Sequence, residues 1–423
     1  MELFEYLNGA VTPYHAVESG AEFLKKAGFT EQKLEEPFVI EKGKGFFIRV
    51  YGTGLVVYTV GEAFRPEDAL HLAVAHTDAP CLRVKPVAEL VSGEYKRLDV
   101  EVYGGAILNT WFDRPLSLAG RVVLRGEDAY SPRLVTMDMK RPILTVPNLA
   151  IHMNYEVNKG VEYKPQRDLL PLFGMLKDGE SKEAYLRGLL AKELQVKEEE
   201  ILDYDLTVYC AEPACYLGEE EEFISAPRLD NQLSCYALLE AISAAKHVSG
   251  ICMAVLYDHE EIGSRSKQGA DSALTGAIIE RIYAGLGLTR ETMQAALAKS
   301  IMLSVDGAHA LHPNRQDVYD PVNRATINKG IALKINSSQR YAFDSETVAV
   351  AQVLCEEAGV PYQKVANHSD QAGGSTLGPI LSSWIPMRAI DLGVPLLAMH
   401  SARELAGRKD IDYLVRFLTK FYS

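Results

Sequence analysis

Four apolar runs in this 423-residue chain each stop at a residue able to hold a metal ion or move a proton. His76-Thr77-Asp78 follows the run 72–75, and Asp258-His259-Glu260-Glu261 follows 253–257. Asp306 follows 300–305, and His400 follows 396–399. Any one alone has a plain structural reading, since Asp and His at strand ends commonly form turns. Together with Asp230, which opens a predicted helix in Arg228-Leu229-Asp230-Asn231-Gln232, they supply two imidazoles, three carboxylates for coordination and one carboxylate left over.

That set suits two divalent ions. Two dications roughly 3.5–4 Å apart need a shared carboxylate that screens them and fixes their spacing. Asp230 is the candidate bridge. His76 and Asp306 complete one ligand set, Glu261 and His400 the other, and open positions remain for water and substrate. Glu260, one residue from a ligand, stands as the general base that takes a proton from water and passes it to a leaving amine. Asp78, two residues after His76, suits the orienting hydrogen bond that metal-bound histidines usually make, with a turn former as the plainer alternative.

Other candidates carry less. His309 and His312 are three residues apart, but no HExxH run accompanies them and Pro313 indicates a loop. His259 reads as a structural neighbour. Cys210 and Cys215 form a lone pair without a second pair at ligand spacing, and all six cysteines read as free thiols. The carboxylates at 219–222 read as a solvated linker.

The elements that must position these residues follow from periodicity. An amphipathic helix is predicted over 16–27, strands over 38–40, 45–51 and 55–60, and the continuous apolar run 69–75 fits a strand buried on both faces of a parallel sheet. From about residue 85 the pattern changes to alternating strand segments and a charged helical stretch over 182–200. Strand–helix alternation resumes with helices over 232–246 and 273–286 and strands over 251–257, 301–305 and 395–399. The reading is an α/β fold with a mainly parallel sheet flanked by helices (1–87 and 223–423), interrupted by a strand-rich insertion (88–222). Active sites of such sheets form beyond the carboxyl ends of the strands, where all four candidate segments fall.

A formal charge of −13 without a basic cluster argues against nucleic acid as a partner. No stretch is long and apolar enough to span a bilayer, and the N-terminus lacks the pattern of a secretory signal, so the expected place is the cytoplasm.

The chain resembles the aspartyl aminopeptidase family of metallopeptidases over nearly its full length. The resemblance rests on Pro13-Tyr14-His15-Ala16-Val17, the block from His76-Thr77-Asp78 to Lys85-Pro86, Thr110-Trp111-Phe112-Asp113-Arg114 and Leu149-Ala150-Ile151-His152. It continues through Asp230-Asn231, Glu260-Glu261-Ile262-Gly263-Ser264, Asp306-Gly307-Ala308-His309-Ala310 and Met399-His400-Ser401, in family order. It implies two Zn2+ per subunit, with Co2+ or Mn2+ as substitutes, on His76, Asp230, Glu261, Asp306 and His400, and Glu260 as general base. It further implies that the insertion is a dimerisation domain, that dimers assemble into a dodecamer, and that His152 reaches a partner's active site. Lys334 and Tyr341 resemble substrate-pocket positions suited to an acidic side chain, and the loop holding Gly374 resembles a substrate-side loop whose amides hold a peptide. Gln371, Ala372 and Gly373 depart from the Pro and Cys common in that loop.

The expected activity is removal of the N-terminal residue from peptides, with preference for Asp or Glu. Rival readings are an aminopeptidase of broader or neutral specificity, a carboxypeptidase or amidohydrolase with the same metal centre, and an inactive assembly protein that keeps zinc for stability.

Overall fold

The computed structural model describes residues 1–179 and 181–423. The chain divides into two compact units, one of residues 1–78, 214–399 and 404–423, the other of residues 79–213 and 400–403.

The first unit is built on a nine-stranded sheet in the order Thr30–Gln32, Gly45–Val50, Gly54–Val60, Ile251–Tyr257, Leu70–His76, Ile301–Val305, Arg388–Gly393, Ile331–Ile335, Tyr362–Ala366. The strands from Ile251–Tyr257 to Arg388–Gly393 run parallel, and antiparallel pairings flank them on either side. Successive side chains of a strand face opposite ways, so an uninterrupted apolar strand belongs where helices cover both faces. Leu72 and Val74 accordingly pack with Ile278, Ile282 and Leu381, whereas Ala73 and Ala75 pack with Leu238, Leu414 and Phe417 on the other face. Phe417 is fully buried there. Phe417→Ala should lower the free energy of unfolding by about 3–5 kcal/mol in a urea titration, and an unshifted midpoint would contradict this account of the core.

Several sequence expectations shift. The first long helix begins at Pro13, whose fixed φ suits an opening turn, and runs to Lys26. Residues 38–40 form no strand: Phe38 stacks under Arg281 at 3.7 Å, so its ring is held by side-chain packing, and Thr30–Gln32 supplies the edge strand. The charged stretch 182–200 is helical only over Tyr185–Leu194, ending at Gln195 in the left-handed region. Residues 219–222 turn between the paired strands Cys215–Leu217 and Phe223–Ala226, so they are a hairpin tip in the first unit and not a linker.

The segment before His400 also differs. Pro395–Leu397 pairs with Ala308–His309 and Glu404–Gly407 in a separate five-stranded sheet. The main-sheet strand is Arg388–Gly393, whose buried Asp391 interrupts the apolar pattern that would have revealed it.

The second unit carries a six-stranded antiparallel sheet, Arg133–Asp138, Leu116–Leu124, Ile201–Cys210, Cys81–Ser92, Tyr95–Tyr103, Leu172–Met175. Leu82, Val100, Leu118 and Val208 bury against Leu186 and Leu190 of helix Tyr185–Leu194. Strand Cys81–Ser92 belongs wholly to this unit, which places the division at 78/79.

Candidate metal centre

Register explains why distant residues meet. Strands Leu70–His76 and Ile251–Tyr257 are parallel neighbours with His76 opposite Tyr257, so the segments after both leave from one edge of the sheet. Ser304 pairs with Val74 on the other side, which brings Asp306 out at the same level. Asp230 arrives from the start of helix Leu229–Ala244, where Arg228 has φ 59° and Asp230 and Asn231 lie outside helical values. Two buried amides fix that start: Asn231 Nδ2 donates to the Val305 carbonyl at 2.9 Å, and Gln232 Nε2 donates to the Thr77 carbonyl at 2.6 Å. The Asp230 N–H donates to Glu404 Oε2 at 2.9 Å.

The side chains converge on His76. Its Nε2 lies 3.6 Å from Asp230 Oδ1 and 3.4 Å from Asp306 Oδ1, and all three residues are buried. One donor atom from each lies within 4.8 Å of the others, and the same holds for His76 with Glu260 and Glu261. His76 Nδ1 sits 3.0 Å from the Asp78 carbonyl, an acceptor that requires Nδ1 to carry the proton and leaves the Nε2 lone pair facing the carboxylates. Burial opposes charging this ring, but Asp230, Asp306, Asp78 and Glu260 outweigh it and raise its pKa well above the usual value. Buried carboxylates at such spacing demand a positive charge in their midst. An oxygen-rich set with an imidazole is the donor chemistry zinc accepts.

Glu260 and Glu261 occupy a single 3-10 turn, Glu260–Ile262, after His259 in the left-handed region. Asp78 holds that turn, its Oδ1 accepting from Glu260 N at 3.2 Å and its Oδ2 from Glu261 N at 3.1 Å. One carboxylate thereby ties the histidine strand to the glutamate turn. Asp78→Ala should weaken zinc binding about 10–100-fold in a chelator competition; unaltered affinity would remove it from the site's support. Burial pushes the Glu260 carboxyl up to about 9, with His76 acting against it and Asp306, Glu261 and Asp78 adding to it. A dication held beside it would favour the ionised form that a base needs.

His400 belongs with the second unit. Its carbonyl accepts from Ile107 N at 2.9 Å, and its Nδ1 lies 3.2 Å from the Gly105 carbonyl, an arrangement that again leaves Nε2 as the electron-pair donor. Lys334 is buried, with Nζ 3.6 Å from Asp306 Oδ2 and 5.2 Å from the centre of the Tyr341 ring. Burial would lower its pKa, yet Asp306, Tyr341, Asp391 and Asp230 raise it, so the ammonium keeps its charge in the interior. Gly374 is exposed in the irregular segment before helix Leu377–Trp384. His152 is exposed in the second unit, in the turn Ile151–Met153.

The lesser candidates fall where their plain readings put them. His259 Nδ1 sits 2.8 Å from Ser266 Oγ, His312 Nδ1 accepts from Asn314 N in a turn, and all six cysteines are free thiols. Sequence reasoning missed Asn231, Gln232 and Glu404. They act by bracing backbone across large separations, and no local pattern marks such a role.

The chain is similar to known proteins along nearly its whole length. The profile of the aminopeptidase I zinc metalloprotease family (M18) matches residues 6–422. A probable M18 family aminopeptidase 2 of Clostridium acetobutylicum is 43% identical over 100% of this chain and 98% of its own length. One from Ectopseudomonas mendocina is 40% identical over 100% of this chain and 97% of its own. Among solved structures, an Ape4 in complex with Nbr1 is similar at 34% identity with a TM-score of 0.95, covering 99% of this chain and 84% of that one. The S. cerevesiae mApe1 dodecamer is similar at 26% identity and TM-score 0.86, covering 99% and 95%.

Proposed function

Because the chain belongs to the M18 family of aminopeptidase I zinc metalloproteases, we propose that this metallo-aminopeptidase works through two zinc ions held at the strand ends and removes N-terminal residues, with acidic ones preferred. The observation that carries the reading is the buried triad His76, Asp230 and Asp306, its donor atoms mutually within 4.8 Å. His76, Asp230 and Asp306 would hold one ion, and Glu261, His400 and Asp230 the second.

When bound, zinc supplies the positive charge that acidifies water and polarises the scissile carbonyl. The chain's own residues do the rest. Glu260, half-buried on a turn pinned by Asp78, takes the proton from the attacking water and delivers it to the departing amine. Lys334, facing Asp306, fixes the direction of that carboxylate and adds the positive field that favours an acidic first residue. Amides of the loop around Gly374 hold the peptide beyond the scissile bond.

An aminopeptidase needs a free α-amine, whereas a carboxypeptidase or amidohydrolase with the same centre does not. Peptides with a free N-terminus should be cleaved and their N-acetylated forms left intact. Cleavage of both at equal rates would replace the reading with the amidohydrolase one. Absence of cleavage with zinc, cobalt or manganese restored would support an inactive assembly protein.

The second unit supports self-association. Leu149, Met153 and Tyr155 are 61%, 73% and 69% exposed around His152, an apolar surface suited to a second copy. In the proposed assembly, dimers formed through this unit build a dodecamer, and His152 serves a partner's site. Native mass measurement tests it, with a monomer as the contrary result.

A further inference from the structure

Strand Arg388–Gly393 of the main sheet carries an acid in its interior. Asp391 is fully buried in mid-strand, where an unpaired charge would be costly. Its neighbours across the sheet are polar too. Ser304 lies opposite it on the parallel strand, and continuing the register of Ala332 with Gly393 and Leu333 with Leu392 sets Lys334 opposite it on the antiparallel one. Opposed residues show their side chains on one face, so a polar row of Ser304, Asp391 and Lys334 crosses three adjacent strands.

Asp391 also grips what lies over this row. The Ala342 N–H donates to Asp391 Oδ2 at 2.6 Å, and the Asp391 N–H donates to the Ala342 carbonyl at 2.8 Å. That reciprocal pair fixes the residue next to Tyr341, whose ring centre is 5.2 Å from Lys334 Nζ. Gly378, in the first turn of helix Leu377–Trp384, comes against the same carboxylate. A Cβ placed on it would stand 2.2 Å from Asp391 Oδ2 and 3.0 Å from Ala342 Cβ. Burial pushes the Asp391 carboxyl up to about 6, while Lys334, Ser304, Thr376 and the Ala342 N–H act against that rise.

One carboxylate therefore meets three segments distant in sequence, and these carry Lys334, Tyr341 and, four residues before Gly378, Gly374. Packing alone does not account for it, because apolar residues of the same volume often hold a core at least as well as a buried ion pair. The Lys334 ammonium has two acids to answer, Asp306 at 3.6 Å and Asp391 across the strand pair. We propose that Asp391 is a positioning residue for the substrate, setting Lys334, the backbone beside Tyr341 and the helix start after Gly374 so that together they receive the first residue of the peptide. It acts through those residues, and the proposal rests on their reading as substrate contacts given above.

Asp391→Asn removes the charge and keeps an oxygen for the Ala342 N–H. On whichever of Glu-Ala-Ala amide and Ala-Ala-Ala amide the native chain cleaves better, it should raise KM about 10-fold, as loss of a charge-assisted contact does. Both kcat and bound zinc should stay near the native values, the signature of lost binding and not of lost chemistry. Gly378→Ala keeps every charge but sets a methyl against the carboxylate, so it should raise KM in the same direction, and it decides the matter should Asp391→Asn fold poorly. An unaltered KM in the folded variant would overturn the proposal. So would a kcat that falls together with bound zinc, which marks a general loss of structure. The native chain tests the underlying reading separately. Native cleavage with unaltered KM in the variants removes the positioning role and leaves the aminopeptidase standing, whereas a native chain that cleaves neither peptide removes both.

Discussion

A Glu260→Gln chain should bind zinc as tightly as the native one and hydrolyse peptides about 10²–10⁴ times more slowly. The amide keeps the volume and the backbone bond to Asp78 Oδ1 while removing the group that accepts a proton. The two effects must part company for the assignment to stand. Lost zinc together with lost turnover would make Glu260 a ligand, and retained turnover would move the base elsewhere. Its neighbour tests the converse, because Glu261→Gln should lower zinc affinity first and turnover as a consequence.

Asp230→Ala should have the larger effect on metal content. Its carboxylate faces His76 and is proposed to serve both ions, so its removal takes away the group that lets two dications share one pocket. Zinc bound after dialysis should fall by at least half, and hydrolysis should fall below detection. Restoring excess zinc should not recover the native rate. A variant that keeps its full zinc complement would show that Asp230 only shapes the helix start, where Asn231 and Gln232 already grip Val305 and Thr77.

Much of this site was legible in the sequence because parallel strands buried on both faces are continuous apolar runs, and such runs stop where the sheet stops. The strands Leu70–His76, Ile251–Tyr257 and Ile301–Val305 show this directly, and the reactive types after them are a short list. The α/β architecture followed from the same alternation. The last strand did not, because Asp391 is buried within it and Lys334 within its neighbour. Two polar residues that accompany one another in the interior interrupt both hydrophobic patterns at once. The apolar run 395–399 therefore reads as the sheet strand, although its partners are short segments at residues 308–309 and 404–407.

Local reading also has no access to bracing across the fold. Gln232 to Thr77 spans 155 residues and Asp230 to Glu404 spans 174, and neither contact leaves a spacing to detect.

The division of labour proposed for Glu260 and Glu261 rests on the strand ends around them, and it has a direct test. Crystals of the zinc-loaded chain measured at the zinc absorption edge should give two anomalous peaks per chain, roughly 3.5–4 Å apart, with the Asp230 carboxylate between them and Glu260 in contact with neither. A single peak, a pair on the cysteines, or a peak coordinated by Glu260 would contradict the account.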